Sequence, residues 1–406
     1  MGSRTSEVAR HVGDLPYARG SILRGTEDDF TKLRLAWGTV AARHADGTLF
    51  DFTGLVRSLV TAADAGPFDD ELAPALHWER LRELALEHLG GDAERDDVFV
   101  ANRLTAAIFA ALQVLVPRGG RVVGVSAGYS HPAVARAVRW AGGTLDDGGE
   151  VEGADAVVLT RLAVTYDVLP QEDVERAVAA AREAAIPVFV DDAGGARVCP
   201  AVFDQPRTLE LGADLGATGL DKYGTIGPRL GLLAGRRELV ARVRALAIEL
   251  GLEARPMLYG AVVRSLEQYR PERVRQLVET TAEVGDALER RLGTWIERTP
   301  VAVKLPGAGT LAEAARRAGV EAPGLVPIEA TAALAMLLLR DHGVHTVHFA
   351  ALPPGTDALL LKFVPPETLS RFGGAERLAA AVDESLDTLA ELLPNERALR
   401  ELLGQK

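Results

Sequence analysis

Short apolar runs alternate with amphipathic stretches through the middle of the chain. VFVA (98–101), RVVGVSA (121–127), AVVLT (156–160) and PVFVD (187–191) are nearly continuous in apolar residues and predict strands. ADLGATG (213–219) and GLLAG (231–235) extend the series. Between them TAAIFAALQVL (105–115), AVARAVRWA (133–141) and QEDVERAVAAAREA (171–184) have helical spacing. A further helical pattern runs from about residue 75 to Leu89 and stops at Gly90-Gly91, a C-cap signal. Strand runs without polar alternation belong to strands buried on both faces. The pattern therefore predicts a mostly parallel sheet with helices on both sides, a three-layer α/β/α domain.

The flanks read differently. Residues 1–70 are mixed, with one apolar segment, DFTGLVRSLV, at 51–60. Residues 259–297 show a long, charged, amphipathic helical pattern. Beyond it come VAVKL (301–305), a helix over 328–340, strands VHTVHFA (344–350) and ALLLKF (358–363), and a last amphipathic helix over 376–393. These predict a smaller C-terminal α+β domain of ordinary size. The division expected is an N-terminal segment (1–70), a large domain (71–258), and a linking helix with the small domain (259–406).

Composition narrows the function. With 406 residues, 48% of them hydrophobic, the chain can bury a large core. A formal net charge of −12 repels phosphate backbones and argues against a nucleic-acid partner. One cysteine, Cys199, permits no intramolecular disulfide and fits a reducing compartment. The N-terminus is charged and lacks the apolar core of a signal peptide. The run TAALAMLLL (331–339) is too short to span a bilayer and reads as a buried helix. A soluble, cytoplasmic protein is expected.

In an open parallel sheet, ligands bind beyond the carboxyl ends of the strands. Those ends hold Asn102-Arg103, Tyr129-Ser130-His131, Asp191-Asp192 and the stretch from Thr218 to Lys222. Asp191 closes PVFVD. A carboxylate there can hold a positive ring nitrogen, and it can also serve as a helix cap. The small residues after it would let a planar ligand approach. Lys222 stands out because only five of the 45 basic residues are lysine. Lysine, unlike arginine, offers an amine that can lose its proton and condense with an aldehyde. A surface lysine paired with Asp221 is the competing reading. Four glycines within 219–231 suggest backbone drawn close to a ligand.

VFVDDAGGAR and GADLGATGLDKYGTIGPRLGLLAG together resemble the fold-type I pyridoxal-phosphate enzymes, over roughly residues 95–255. Within that class the chain resembles the selenocysteine synthases (L-seryl-tRNA selenium transferases) and their relatives. The resemblance implies that Lys222 forms the internal aldimine and shuttles protons. It implies that Asp191 pairs with the pyridine nitrogen, and that His131 stacks on the ring, with Tyr129 competing. Asn102, Arg103 and Thr105 are the phosphate candidates, at the N-terminus of helix 105–115. Thr218 is the nearest hydroxyl before the lysine. Leu220 and Asp221 stand where many relatives carry serine or histidine, and Asp221 would raise the lysine pKa. For the substrate carboxylate, Lys362, Arg371, Arg229 and Arg197 compete.

The resemblance also implies a homodimer or larger assembly with sites between subunits. The substrate would be a small amino acid or amine, and the reaction β- or γ-elimination or replacement. Aminotransferase, decarboxylase and aldolase-type chemistry use the same constellation. A tRNA-directed selenium or sulfur transferase and a non-catalytic cofactor-binding protein are the alternatives of other kinds.

Two other signals carry less. GAGTLA (307–312) matches part of a dinucleotide fingerprint, but Pro306 precedes it and no strand follows. His342, His345 and His348 fall at steps of three in a segment that reads as a strand, where such positions point to opposite faces. No metal site is expected.

Overall fold

The structure is a computed structural model and describes residues 15–56, 68–349 and 352–406. Residues 57–60 of the N-terminal apolar segment and Ala350 of VHTVHFA lie outside that set. The chain forms two compact units: Leu55–Arg275, and the described part of Met1–Gly54 together with Gln276–Lys406. The second unit opens with α1 (Thr26–Ala45) and β1 (Phe50–Asp51).

The first unit carries α2 (Leu72–Leu89), β2 (Asp96–Ala101), α3 (Leu104–Leu115), β3 (Arg121–Ser126), α4 (Pro132–Trp140), β4 (Thr144–Asp147) and β5 (Ala156–Thr160). It continues through α5 (Gln171–Glu183), β6 (Val188–Asp191), α6 (Gly195–Phe203), β7 (Leu215–Gly219), β8 (Gly231–Arg236), α7 (Arg237–Glu249) and α8 (Tyr259–Glu267). Seven strands form one sheet in the order β2-β8-β7-β6-β5-β3-β4. The pairs from β7 to β4 are parallel, and β8 runs antiparallel to both its neighbours. The α/β class read from the sequence is the one observed. Every residue of β5, β6 and β7 is buried, as covered faces require. In α5 the buried residues are Val174, Ala177, Val178 and Ala181, a single helical stripe, and acids open the helix while Arg182 closes it.

The direction of β8 matters for the site. Two antiparallel pairings in succession leave β2 parallel to β7. The carboxyl ends of β2, β3, β5, β6 and β7 therefore share one edge. Gly231, the first residue of β8, lies opposite both Ala101 and Gly219.

In the second unit α9 (Pro271–Leu292) leads to β9 (Glu297–Thr299), β10 (Ala302–Leu305), α10 (Gly307–Ala318), α11 (Pro327–His342), β11 (Val344–His345), β12 (Leu359–Lys362), α12 (Pro366–Phe372), α13 (Ala375–Leu392) and α14 (Glu396–Leu402). The strands β12-β10-β9 form a small antiparallel sheet, and β1 pairs in parallel with β11. Residues 328–339 of α11 are buried without a break, which is the core helix expected from TAALAMLLL.

Three expectations need correction. The long helix over 259–297 is broken at 268–270, because the residue before Pro271 is pushed out of helical geometry and Pro271 starts a new helix. VHTVHFA is a strand only at Val344–His345 and then turns into a 3₁₀ segment, Val347–Phe349. The mixed N-terminal region contains α1, a twenty-residue helix. Its buried residues are Asp29, Lys32 and Ala36, while Phe30, Leu35 and Trp37 are exposed. A helix that buries two charged residues and exposes three large apolar ones gives no clean apolar stripe to recognise.

Candidate active site

Asp191 closes β6 and Asp192 follows it, and both are buried. Their surroundings differ. Asp192 receives Arg161 through Nε at 3.3 Å and through a second guanidinium nitrogen, and it accepts from Thr208 Oγ1 at 2.7 Å. Among the described residues, Asp191 Oδ1 has no hydrogen-bond partner. Burial raises the Asp191 pKa to about 6; the Lys222 charge opposes the rise and Asp192 adds to it.

Lys222 sits in the turn between β7 and β8. Leu220 N–H bonds Leu230 O, Gly227 N–H bonds Leu220 O, and Thr225 Oγ1 donates to Lys222 O at 2.7 Å. Burial lowers the Lys222 pKa. Asp221 and Asp191 act against that change, and Arg197 and Arg229 reinforce it. Asp221 itself is buried and ion-paired with Arg229 at 3.3 Å. The acid expected to keep the amine charged is therefore paired with an arginine whose charge favours the free amine.

His131 caps α4: its Nδ1 accepts from Ala133 N–H at 3.0 Å. A neutral ring there carries its proton on Nε2. Burial lowers its pKa to about 3, helped by the Lys222 charge. Lys222 is thus within electrostatic reach of both Asp191 and His131.

Asn102, Arg103 and Thr105 stand at the N-terminus of α3 with exposed side chains, and no side chain caps the helix at Arg103. Only two residues separate the helix from the carboxyl end of β2, so its N-terminus lies at the same sheet edge. Thr218 Oγ1 accepts from Arg197 at 2.8 Å and approaches Ala193 O at 3.3 Å. The same Arg197 nitrogen reaches Gly219 O at 2.8 Å and Ala193 O at 3.0 Å. Arg197, fully buried, therefore ties the loop after Asp191 to the strand end before Lys222. Lys362 and Arg371 belong to the other unit. There Lys362 Nζ donates to Thr53 O at 3.0 Å and Arg371 to Leu49 O at 2.8 Å, over the Phe50 ring.

The glycines have another cause than ligand approach. A Cβ at Gly194 would lie 2.3 Å from the Tyr223 ring, and one at Gly231 would lie 2.6 Å from Arg103 O. Protein atoms, rather than a ligand, fill the space that these two glycines leave. Two tyrosines escaped the sequence reading. Tyr166 and Tyr223 share a 2.6 Å hydroxyl contact, and both have positive φ, 68° and 46°. Such backbone strain clusters at functional sites. Burial raises both phenol pKa values, so both stay protonated. The only sequence signal for Tyr223 was its place beside Lys222.

The three histidines do not converge. His342 faces Arg377 and Glu384, and His348 Nε2 lies 3.2 Å from Lys32 Nζ. Among the described residues no group of three or more His, Cys, Asp or Glu is arranged to hold a metal ion. No described helix is long and apolar enough to cross a membrane.

Comparison with solved structures gives the fold. An aspartate aminotransferase from Thermotoga maritima superposes with a TM-score of 0.57 at 16% identity, covering 88% of this chain and 96% of that one. An aspartate aminotransferase from Thermus thermophilus also gives 0.57, at 17% identity, covering 86% and 96%. No protein-family model matches the chain. Among curated proteins, a UPF0425 pyridoxal phosphate-dependent protein from Methanothermobacter thermautotrophicus is 32% identical over 329 residues, 79% of this chain and 83% of the relative. A protein of the same description from Methanosphaera stadtmanae is 28% identical over 357 residues, 86% and 90% of the two chains. With a sequence relationship of that extent on a fold-type I scaffold, the chain belongs to the UPF0425 family of pyridoxal phosphate-dependent proteins, and pyridoxal phosphate is its cofactor.

Proposed function

We propose that this protein is an enzyme acting on a small amino acid or amine, with Lys222 as the residue that holds pyridoxal phosphate and moves protons at the substrate's reacting carbon. The observation that carries the reading is Asp191. Beside an Asp192 held by Arg161 and Thr208, it keeps a buried oxygen without a partner among the described residues and lies within reach of the Lys222 charge. A positive ring nitrogen would give that oxygen its partner and draw the carboxyl back into its ionised form. Bound pyridoxal phosphate supplies an acceptor for the electron pair released at the substrate carbon.

The remaining roles follow from the chain's own groups. Burial and two nearby arginines favour the uncharged Lys222 amine, the form able to attack a carbonyl carbon or take a proton. His131, neutral and oriented by Ala133 N–H, offers a flat face. The uncapped start of α3, with Asn102, Arg103 and Thr105 around it, suits a phosphate. Thr218 is already bonded to Arg197 and is the weaker phosphate candidate. Arg229, part-exposed, is preferred for a substrate carboxylate over Arg197, which is buried and bonded to Ala193, Thr218 and Gly219; Lys362 and Arg371 are the other candidates.

The proposed reaction class is elimination or replacement at the β or γ carbon, by resemblance to the selenocysteine synthases. The test begins with an absorbance titration. Added pyridoxal phosphate should produce a visible band that Lys222→Ala abolishes. A wild-type protein that develops no band would overturn the assignment of Lys222. Amino acids are then screened. Release of a 2-oxo acid with ammonia supports elimination, whereas conversion of the cofactor to its amine form identifies transamination instead.

A further inference from the structure

Within the sheet unit lies a cavity of about 630 Å³ walled by α2, α6 and the turn from α8 to α9. That size is typical of a small-molecule site. Its floor is apolar, with Leu84, Ala196, Pro200 and Leu266. Three arginines and two glutamates also line it. Arg80 and Arg207 are ion-paired, with Glu83 at 2.7 Å and Glu210 at 2.6 Å. Arg270 donates only to two backbone carbonyls, Glu267 O and Tyr269 O, each at 2.7 Å, and no carboxylate of the described residues pairs with it.

His88 supplies a second donor. Its Nε2 lies 3.2 Å from the Arg197 guanidinium, which can only donate. Nε2 is therefore the acceptor and Nδ1 carries the proton. Burial and the Arg197 charge hold the ring neutral, with a pKa of about 3. The Nδ1–H has no hydrogen-bond partner among the described residues. The Tyr269 ring packs edge-on against His88 at 4.8 Å.

We propose that this cavity binds a small carboxylate with an apolar body, its charge on Arg270 and the His88 N–H and its body on the floor. Occupancy reaches the cofactor site through Arg197, which links His88 to Ala193, Thr218 and Gly219. This second step rests on the assignment of Lys222 above; the binding step does not.

The probe is 4-fluorophenylacetate, followed by fluorine NMR on the full-length protein. A saturable response is expected, weakened about tenfold by Arg270→Ala and unchanged by Arg290→Ala. The response should persist in Lys222→Ala, which separates the cavity from the cofactor site. No saturable response, one insensitive to Arg270→Ala, or one lost in Lys222→Ala overturns the site. Displacement by phenylalanine as readily as by phenylacetate identifies an amino acid as the source of the carboxylate; selective displacement by phenylacetate identifies a free acid. The linkage is read by titrating pyridoxal phosphate with and without saturating phenylacetate, and an unchanged midpoint overturns it. Absence of any visible band would count against Lys222 and leave the NMR result standing.

Discussion

Asp191 and Asp192 are chemically identical neighbours with opposite surroundings. Asp192 is held by Arg161 and Thr208, whereas Asp191 keeps an oxygen without a partner. The folded pKa of Asp191, about 6, lies above the ordinary carboxyl value. Its contribution to stability is therefore present below about pH 4 and is lost as pH rises through 6. In cofactor-free protein, Asp191→Asn should match wild type near pH 4 and be more stable above pH 6, by at most roughly 3 kcal/mol. Urea unfolding at both pH values checks this, and a difference independent of pH would refute it. Asp192→Asn should be destabilising. It leaves the buried Arg161 guanidinium without its carboxylate and should cost about 3–5 kcal/mol.

The turn from β2 into α3 and the start of β8 form a single packed unit. Gly231 is opposite Ala101 and Gly219, and its missing Cβ makes room for the Arg103 carbonyl. That carbonyl belongs to the backbone and cannot swing aside as a side chain would. Gly231→Ala should cost about 1–3 kcal/mol and weaken pyridoxal phosphate binding by displacing the N-terminus of α3. A thermal melt and a cofactor titration read the two effects; a stability loss with unchanged cofactor affinity would detach α3 from the phosphate role. The strands and helices of this sheet were legible because each buries an apolar face of regular period. Helix α1 was not, because its fully buried residues are Asp29, Lys32 and Ala36 while Phe30, Leu35 and Trp37 are exposed.

At the scale of the whole chain, the second unit is built from both ends of the sequence. β1 pairs with β11, and the buried Glu329 accepts the N–H groups of Ile22 and Leu23 at 2.7 and 2.8 Å. Removing residues 1–54 would strip those donors from a buried carboxylate and uncover Phe372. The truncated protein should be insoluble or melt far below the full chain; a soluble product of unchanged melting temperature would contradict this. A homodimer or larger assembly is proposed and is read by sedimentation. With a net charge of −12, tRNA should not bind at physiological salt. A tight, salt-sensitive gel shift would favour the tRNA-directed transferase reading.

The sequence by itself determined the layered α/β plan and put Asp191 and Lys222 at strand ends. Those features depend on local apolar period and on the direction of the chain, which are written along the chain. Only the tertiary structure decided which of two adjacent acids keeps an oxygen without a partner among the described residues, that Arg197 bonds the two strand ends, and that Gly194 and Gly231 make room for protein atoms. Each of these depends on residues distant in sequence that meet in space: Arg161 on Asp192, His88 on Arg197, Arg103 on Gly231. A buried polar atom takes whichever partner the packing brings within bonding distance, and no local pattern records that choice.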